Sequence, residues 1–280
     1  MELKFDEHHC YRYDDAANIT PNSEIYKAMD LSLGRTVALK KVHIIGNNKA
    51  EKNQNLKKAL SEVKTMVQIS EITSKIPNIY SYYYDDAKGE LYIVMQWICG
   101  ETLADKMKHQ IPVTVFLRWM EQLAGILKAM STKNFQHKDI KPENIMFNGN
   151  NELYLIDFNI SVSAPNQFEG TPFYKAPEMD FGSMTAARDK VDMFAMGVIL
   201  YQYVTKVVPQ RMVNYDYYGT AGNRWDVFKQ PIEIETTLNR GLNNLIVKLM
   251  EYDPGLRYQS YSKLITALKT VERSVRNEGK

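Results

Sequence analysis

The rhythm of apolar and polar positions changes near residue 96. Before it, short apolar or alternating runs dominate, as in the tyrosine-rich stretch Ile79 to Tyr84 and the run Leu91 to Met95. Such runs predict strands. Val37-Ala38-Leu39-Lys40 predicts another. One helix interrupts them, since Leu56, Leu60, Val63 and Val67 recur at the spacing of a single apolar helical face. After residue 96 helical periodicity takes over. Phe116, Met120, Leu123, Leu127 and Met130 mark a long amphipathic helix, while Val191 to Tyr203 is apolar on nearly all sides and predicts a buried one. The division is expected near Gln96 to Gly100, with a small strand-rich part over 1–98 and a larger helical part over 99–280.

Composition narrows the options. The 280 residues are 44% hydrophobic and 24% charged, enough for a substantial core. Lys+Arg 35 against Asp+Glu 33 gives a formal charge of only +2, so no nucleic-acid partner is expected. Two cysteines, Cys10 and Cys99, make neither a disulfide framework nor a metal cluster and suit a reducing cytoplasm. No apolar run reaches the length of a membrane span.

Chemistry concentrates in His137-Lys138-Asp139-Ile140-Lys141-Pro142-Glu143-Asn144. One short loop holds a carboxylate, a cation and an amide, with Pro142 stiffening the turn. Downstream, the apolar run Leu153 to Ile156 ends in Asp157-Phe158-Asn159. Upstream, the strand at Val37 carries Lys40, and Glu62 borders the apolar face of the following helix. Towards the C-terminus come Gly170-Thr171-Pro172-Phe173-Tyr174-Lys175-Ala176-Pro177-Glu178, then Asp192-Met193-Phe194-Ala195-Met196-Gly197, then Asp253-Pro254-Gly255-Leu256-Arg257.

In this order the segments resemble the protein-kinase signature set: V-A-I-K, the H-R-D-x-x-x-x-N loop, D-F-G and A-P-E. Lys138 stands where the family has arginine, Asn159 where it has glycine and Phe194 where it has tryptophan. The resemblance covers nearly the whole chain and is closest to bacterial serine/threonine kinases of the eukaryotic (Hanks) type. It implies a two-lobe α+β fold with a small antiparallel sheet carrying one helix and a larger helical lobe.

The resemblance also implies roles. Asp139 would orient and deprotonate the acceptor hydroxyl, and Lys141 would neutralise the γ-phosphate. Lys40, held by Glu62, would fix the α- and β-phosphates of ATP. Asn144 and Asp157 would hold Mg²⁺, with Mn²⁺ as a substitute. Ile25, Ala38, Met95, Gln96, Ile98, Thr102 and Met146 would surround the nucleotide. Lys138, Phe158, Thr171, Glu178, Asp192 and Arg257 would be structural or regulatory. The partner would be a protein with Ser or Thr acceptors.

One segment departs from the family. The three glycines of the phosphate-covering loop fall on Asn18, Thr20 and Ser23, and none is retained. Glycine lets backbone approach phosphate closely. A stiffer lid and weaker nucleotide affinity are expected, with the Thr and Ser hydroxyls as substitute donors. A scaffold without turnover, a pseudokinase, is the alternative. Lys138 in place of arginine, with no hydroxyl residue between Pro165 and Gly170, predicts activity without phosphorylation of this segment.

Overall fold

The protein is described from a computed structural model covering residues 1–20, 23–158, 171, 173–180, 190–209 and 228–278. It divides into two compact units. The first is Met1–Gly100 with Phe147–Asn159, and the second is Glu101–Met146 with Ile160–Lys280.

The first unit is built on β1 (Glu2–Lys4), β2 (Cys10–Ile19), β3 (Ser23–Asp30), β4 (Arg35–His43), β5 (Ile79–Asp85) and β6 (Glu90–Gln96). They form one antiparallel sheet in the order β1-β2-β3-β4-β6-β5. Alternation places Tyr26, Ala28, Val37, Leu39, Tyr92 and Val94 in one cluster with Tyr11. The N-terminal segment adds Leu3 and Phe5 to it, and Phe5 stacks on Tyr83 at 4.0 Å. A second cluster joins Ile44, Leu91 and Ile93 to Val63 of α1 (Lys49–Ser70), the helix expected between the strands. Asn48 caps α1 by accepting the Glu51 N–H at 2.9 Å.

One expectation about α1 needs correction. Leu56, Leu60 and Val63 face the second cluster, but Val67 is 40% exposed. Thr65 and Ile69 are buried instead, about half a turn round the helix. A single-face pattern finds only the stripe facing one neighbour; burial of another side depends on chain arriving from elsewhere.

Residues 147–159 return to this unit. β8 (Ile145–Asn148) and β9 (Leu153–Leu155) flank the turn at Asn148 to Asn151, and with β7 (Gly100–Thr102) they form a sheet in the order β7-β8-β9. A Cβ on Gly100 would sit 1.7 Å from the Phe147 carbonyl oxygen, so only glycine permits this approach. Lys75 anchors β9 twice. Its carbonyl accepts the Leu155 N–H at 2.9 Å, and its Nζ meets Glu152 at 2.8 Å.

The second unit is helical: α2 (Leu103–Lys106), α3 (Val113–Ser131), α4 (Val191–Thr205), α5 (Pro231–Ile234), α6 (Arg240–Leu249) and α7 (Tyr261–Glu278). The predicted stripe of α3 is buried throughout, each residue at most 1% exposed. Every residue of α4 from Val191 to Tyr201 is buried, as its all-round apolarity requires. Gly197 permits close contact with the end of α6, since a Cβ there would lie 2.7 Å from Met250 Cγ. Tyr203 stacks on Phe116 at 3.8 Å and donates its hydroxyl to the Ile111 carbonyl. Among the described residues no helix is long and apolar enough to cross a membrane. The strand-rich first part and helical second part are the α+β class expected.

Candidate active site

In the first unit, β4 alternation puts Ala38 and Lys40 on the same side of the strand, opposite Met95 and Ile93 of β6. Lys40 Nζ lies 3.2 Å from Asp157 Oδ1, with only 11% of the lysine side chain exposed against 29% of the aspartate. This pair joins two residues far apart in sequence. Asp157 has φ +65°, a left-handed conformation uncommon outside glycine, asparagine and aspartate. Phe158, next to it, is buried. Glu62 is half-buried on α1, beside buried Val63.

The expected nucleotide-binding residues of this unit differ in exposure. Ala38 and Ile98 are buried, while Ile25, Met95 and Gln96 are half-buried. The Gln96 N–H is already given to the Asn78 carbonyl at 2.8 Å, which removes it as a donor to a ligand. Asn18 and Thr20 are exposed, whereas Ser23 is buried at the start of β3. The next residue, Glu24, is held by Lys41 at 2.8 Å, His43 at 3.0 Å and the Tyr26 hydroxyl. These contacts, led by Lys41, hold the Glu24 pKa down at about 2.

In the second unit, Asp139 stands at the centre of a saturated network. Its Oδ1 accepts the Thr171 N–H at 3.0 Å and the Thr171 hydroxyl at 2.6 Å. Its Oδ2 meets Asn144 Nδ2 and Lys141 Nζ, each at 3.0 Å. Lys141 also donates to Thr171 Oγ1 at 2.9 Å, closing a ring of three side chains. Burial pushes the Asp139 pKa up, but the hydrogen bonds from Thr171 and Lys141, together with the lysine charge, outweigh it and hold the group below its usual value. The carboxylate is ionised at neutral pH.

Asn144 spends its amide nitrogen on Asp139, bonding the backbone carbonyl at 2.8 Å as well as the side chain. Its carbonyl oxygen is thereby oriented the other way. An amide oxygen on Asn144 and a carboxylate on Asp157 are the hard oxygen ligands Mg²⁺ takes. Among the described residues no group of three or more His, Cys, Asp or Glu could hold a metal. Mg²⁺ normally uses one or two protein oxygens plus phosphate and water, so each of these oxygens is by itself of the kind such a metal takes.

Asp192, the first-turn aspartate of α4, carries the loop at His137 and Lys138. It is 1% exposed and accepts two successive backbone N–H groups, His137 at 2.9 Å and Lys138 at 2.7 Å. Lys138 has φ +65°, and its side chain is buried. Burial raises the Asp192 pKa despite the two N–H groups and the nearby positive charge.

Arg257 and Glu178 form the bidentate pair expected between them, at 2.5 and 2.6 Å. The remaining guanidinium protons go to the carbonyls of Glu251, Lys190 and Tyr252, so all five donors are used. The guanidinium also lies 5.0 Å above the Phe194 ring, the residue found where the family has tryptophan. Losing one partner of such a buried pair costs about 3–5 kcal/mol.

Two expected nucleotide contacts belong to this unit. Thr102 is occupied as the cap of α2, accepting the Asp105 N–H at 3.1 Å and donating to the Asp105 carboxylate at 2.7 Å. Met146 is half-buried between Ile145 and Phe147. Asn159, Ser161, Ser163, Gly170 and Pro172 lie outside the described residues. Sequence reasoning missed the Tyr174 hydroxyl bond to Gln202 of α4 at 2.6 Å, which ties down the end of that segment; burial lifts this tyrosine to about 12.

The chain belongs to the protein kinase domain family, which matches residues 21–269. A probable serine/threonine-protein kinase of Clostridium acetobutylicum is 26% identical over 96% of this chain and 41% of its own length. Another from Clostridium perfringens is 29% identical over 90% of this chain and 36% of its own length. An Aurora kinase of Schizosaccharomyces pombe is 27% identical over 83% of this chain and 64% of that protein. The chain thus spans about two fifths of the bacterial relatives it matches.

Proposed function

We propose that this chain transfers the γ-phosphoryl group of ATP to serine or threonine hydroxyls of proteins. The observation that carries the reading is Asp139: a half-buried carboxylate kept ionised by Lys141, Thr171 and Asn144. An anion so heavily solvated by donors is a weak base. Its role is to accept a hydrogen bond from the acceptor hydroxyl and aim it, taking the proton as the phosphoryl group arrives. Phosphoryl transfer has a loose transition state, so positioning and charge stabilisation supply most of the catalysis.

Lys141 follows from the same geometry. Its ammonium bridges Asp139 and Thr171, and it is the cation best placed to balance charge developing on the transferred group. Lys40, paired with Asp157, would hold the α- and β-phosphates, with Glu62 on α1 as the carboxylate the family resemblance assigns to it. Magnesium would supply neutralisation of the triphosphate, with Asn144 and Asp157 as its protein ligands. The acceptor class rests on Lys141 together with Thr171, and on the named activity of the relatives.

Replacing Asp139 with Asn keeps the shape and removes the anion. Transfer of radiolabel from ATP to a basic protein should fall about 10²–10⁴-fold, with nucleotide affinity unchanged within about twofold. Equal transfer by both proteins sinks the mechanism. Nucleotide binding by wild type without any transfer would favour the scaffold alternative.

Activity without phosphorylation of the 157–178 segment is part of the same reading. Thr171 already bonds Asp139 in the unmodified chain, and Lys138 is buried rather than displayed to a phosphate. Treating the purified protein with phosphatase should leave its rate unchanged; a large loss would refute this.

A further inference from the structure

We propose that Lys75 is a positioning residue for Asp157: it clamps the outer edge of β9 and so fixes where that strand delivers the carboxylate. The proposal rests on the kinase reading above, in which Asp157 is a magnesium ligand beside Lys40. β9 (Leu153–Leu155) is 3 residues long and, among the described residues, lies at the edge of its sheet against β8 alone. So short a strand supplies few ladder bonds. Asp157 follows almost at once, at φ +65° and 3.2 Å from Lys40 Nζ. Any swing of β9 is therefore passed on to this pair.

Burial alone does not settle where the strand lies. Leu153 and Leu155 are 1% and 0% exposed, which fixes the face of β9 that turns inward. Hydrophobic burial is non-directional, so sideways movement has to be stopped by directional contacts. The link between α1 and β5 supplies them. The Lys75 carbonyl accepts the N–H of Leu155, the last residue of β9, at 2.9 Å. Its Nζ reaches Glu152, just before the strand begins, at 2.8 Å, and lies 5.4 Å from the centre of the Tyr154 ring between them. One residue thus holds the strand at both ends and in the middle. Glu152 is tied in turn to the end of β8, accepting from Asn148 Nδ2 at 2.7 Å and donating its N–H to Asn148 Oδ1 at 2.9 Å. These side-chain contacts, led by Lys75, hold the Glu152 carboxyl below its usual range, so it is ionised at neutral pH. The lysine has firm footing, since its N–H goes to Thr73 Oγ1 at 3.2 Å and the next residue, Ile76, is wholly buried.

Lys75→Met keeps the length of the side chain and removes its charge. In the full chain, the KM for ATP and the Mg²⁺ concentration giving half-maximal turnover should each rise about threefold, the scale of one partly exposed ion pair. The KM for the protein acceptor should stay put. A merely structural loss would lower the active fraction, and with it kcat, while leaving both of the shifted constants alone. Lys75→Arg, which retains the charge, should behave as wild type. Lys75→Met combined with Glu152→Gln should be no worse than Lys75→Met alone, because the two residues act through one contact. Amide exchange supplies a readout independent of turnover: without nucleotide, the Leu155 N–H should exchange about threefold faster in Lys75→Met than in wild type or Lys75→Arg.

An unchanged KM for ATP and Mg²⁺ requirement in Lys75→Met overturns the proposal. So does equal exchange at Leu155, or a double variant whose losses add. If the wild-type protein binds no nucleotide, the kinase reading itself falls, and the Leu155 exchange rates still decide whether Lys75 holds β9.

Discussion

Asp139, half-buried, and Asp192, buried, are two aspartates of one unit whose acidities move in opposite directions. Burial pushes both upwards; they differ in how deep they lie and in the company each keeps. Asp139 has a full cation, a hydroxyl, an amide and a backbone N–H. Asp192 accepts two backbone N–H groups, both from the loop it supports. Desolvation is thus overcome where a charge and several donors converge on the carboxylate, and prevails at the deeply buried Asp192 despite two peptide N–H groups and nearby positive charge. The first arrangement suits chemistry and the second suits anchorage.

The contrast can be broken most severely at the anchor. Asp192→Ala leaves two buried N–H groups without an acceptor, at about 1–3 kcal/mol each. Chemical denaturation should show a loss of roughly 2–5 kcal/mol, with turnover collapsing as the loop at His137 and Lys138 loses its seat. A variant as stable as wild type would show that Asp192 is not what holds the loop.

A smaller effect sharpens the comparison through pH. The depressed Asp139 contributes stability above its unfolded pKa that is lost as acid protonates the folded group, so the folded state gains stability with rising pH in that window. For Asp192 the sign reverses. A raised folded pKa means the native state binds the extra proton, so stability declines as pH climbs from the unfolded pKa through the folded one. Lys141→Ala removes one of the two main influences that hold Asp139 down and leaves burial in place. The acid limb of kcat/KM should therefore move to higher pH in this variant. An unmoved limb would mean that another group sets it.

Much of this was legible in the chain itself. The α3 stripe and the all-round apolarity of α4 predict their burial because side-chain direction in a helix follows from spacing alone. The pairing of Glu178 with Arg257, and the proximity of Asp139, Lys141 and Thr171, followed from motif order. Less was legible where burial comes from distant chain. Val67 was expected on the inner face of α1, yet Thr65 and Ile69 are buried and Val67 is not. Nothing in the short run Glu2–Lys4 announced an added edge strand, or Phe5 stacked on Tyr83. Thr20 and Ser23 read as spare donors, and only their mutual distances reveal that they satisfy each other.

The amino-acid order alone determined which elements form, which residue types are available for phosphoryl chemistry and where the glycine pattern fails, because these depend on local periodicity and side-chain identity. Only the tertiary structure decided which carboxylate stays ionised, which one seats the loop at His137 and Lys138, and whether a hydroxyl is free or spent. Those properties come from burial and from hydrogen-bond partners far away in sequence, and neither is encoded in the spacing of neighbours.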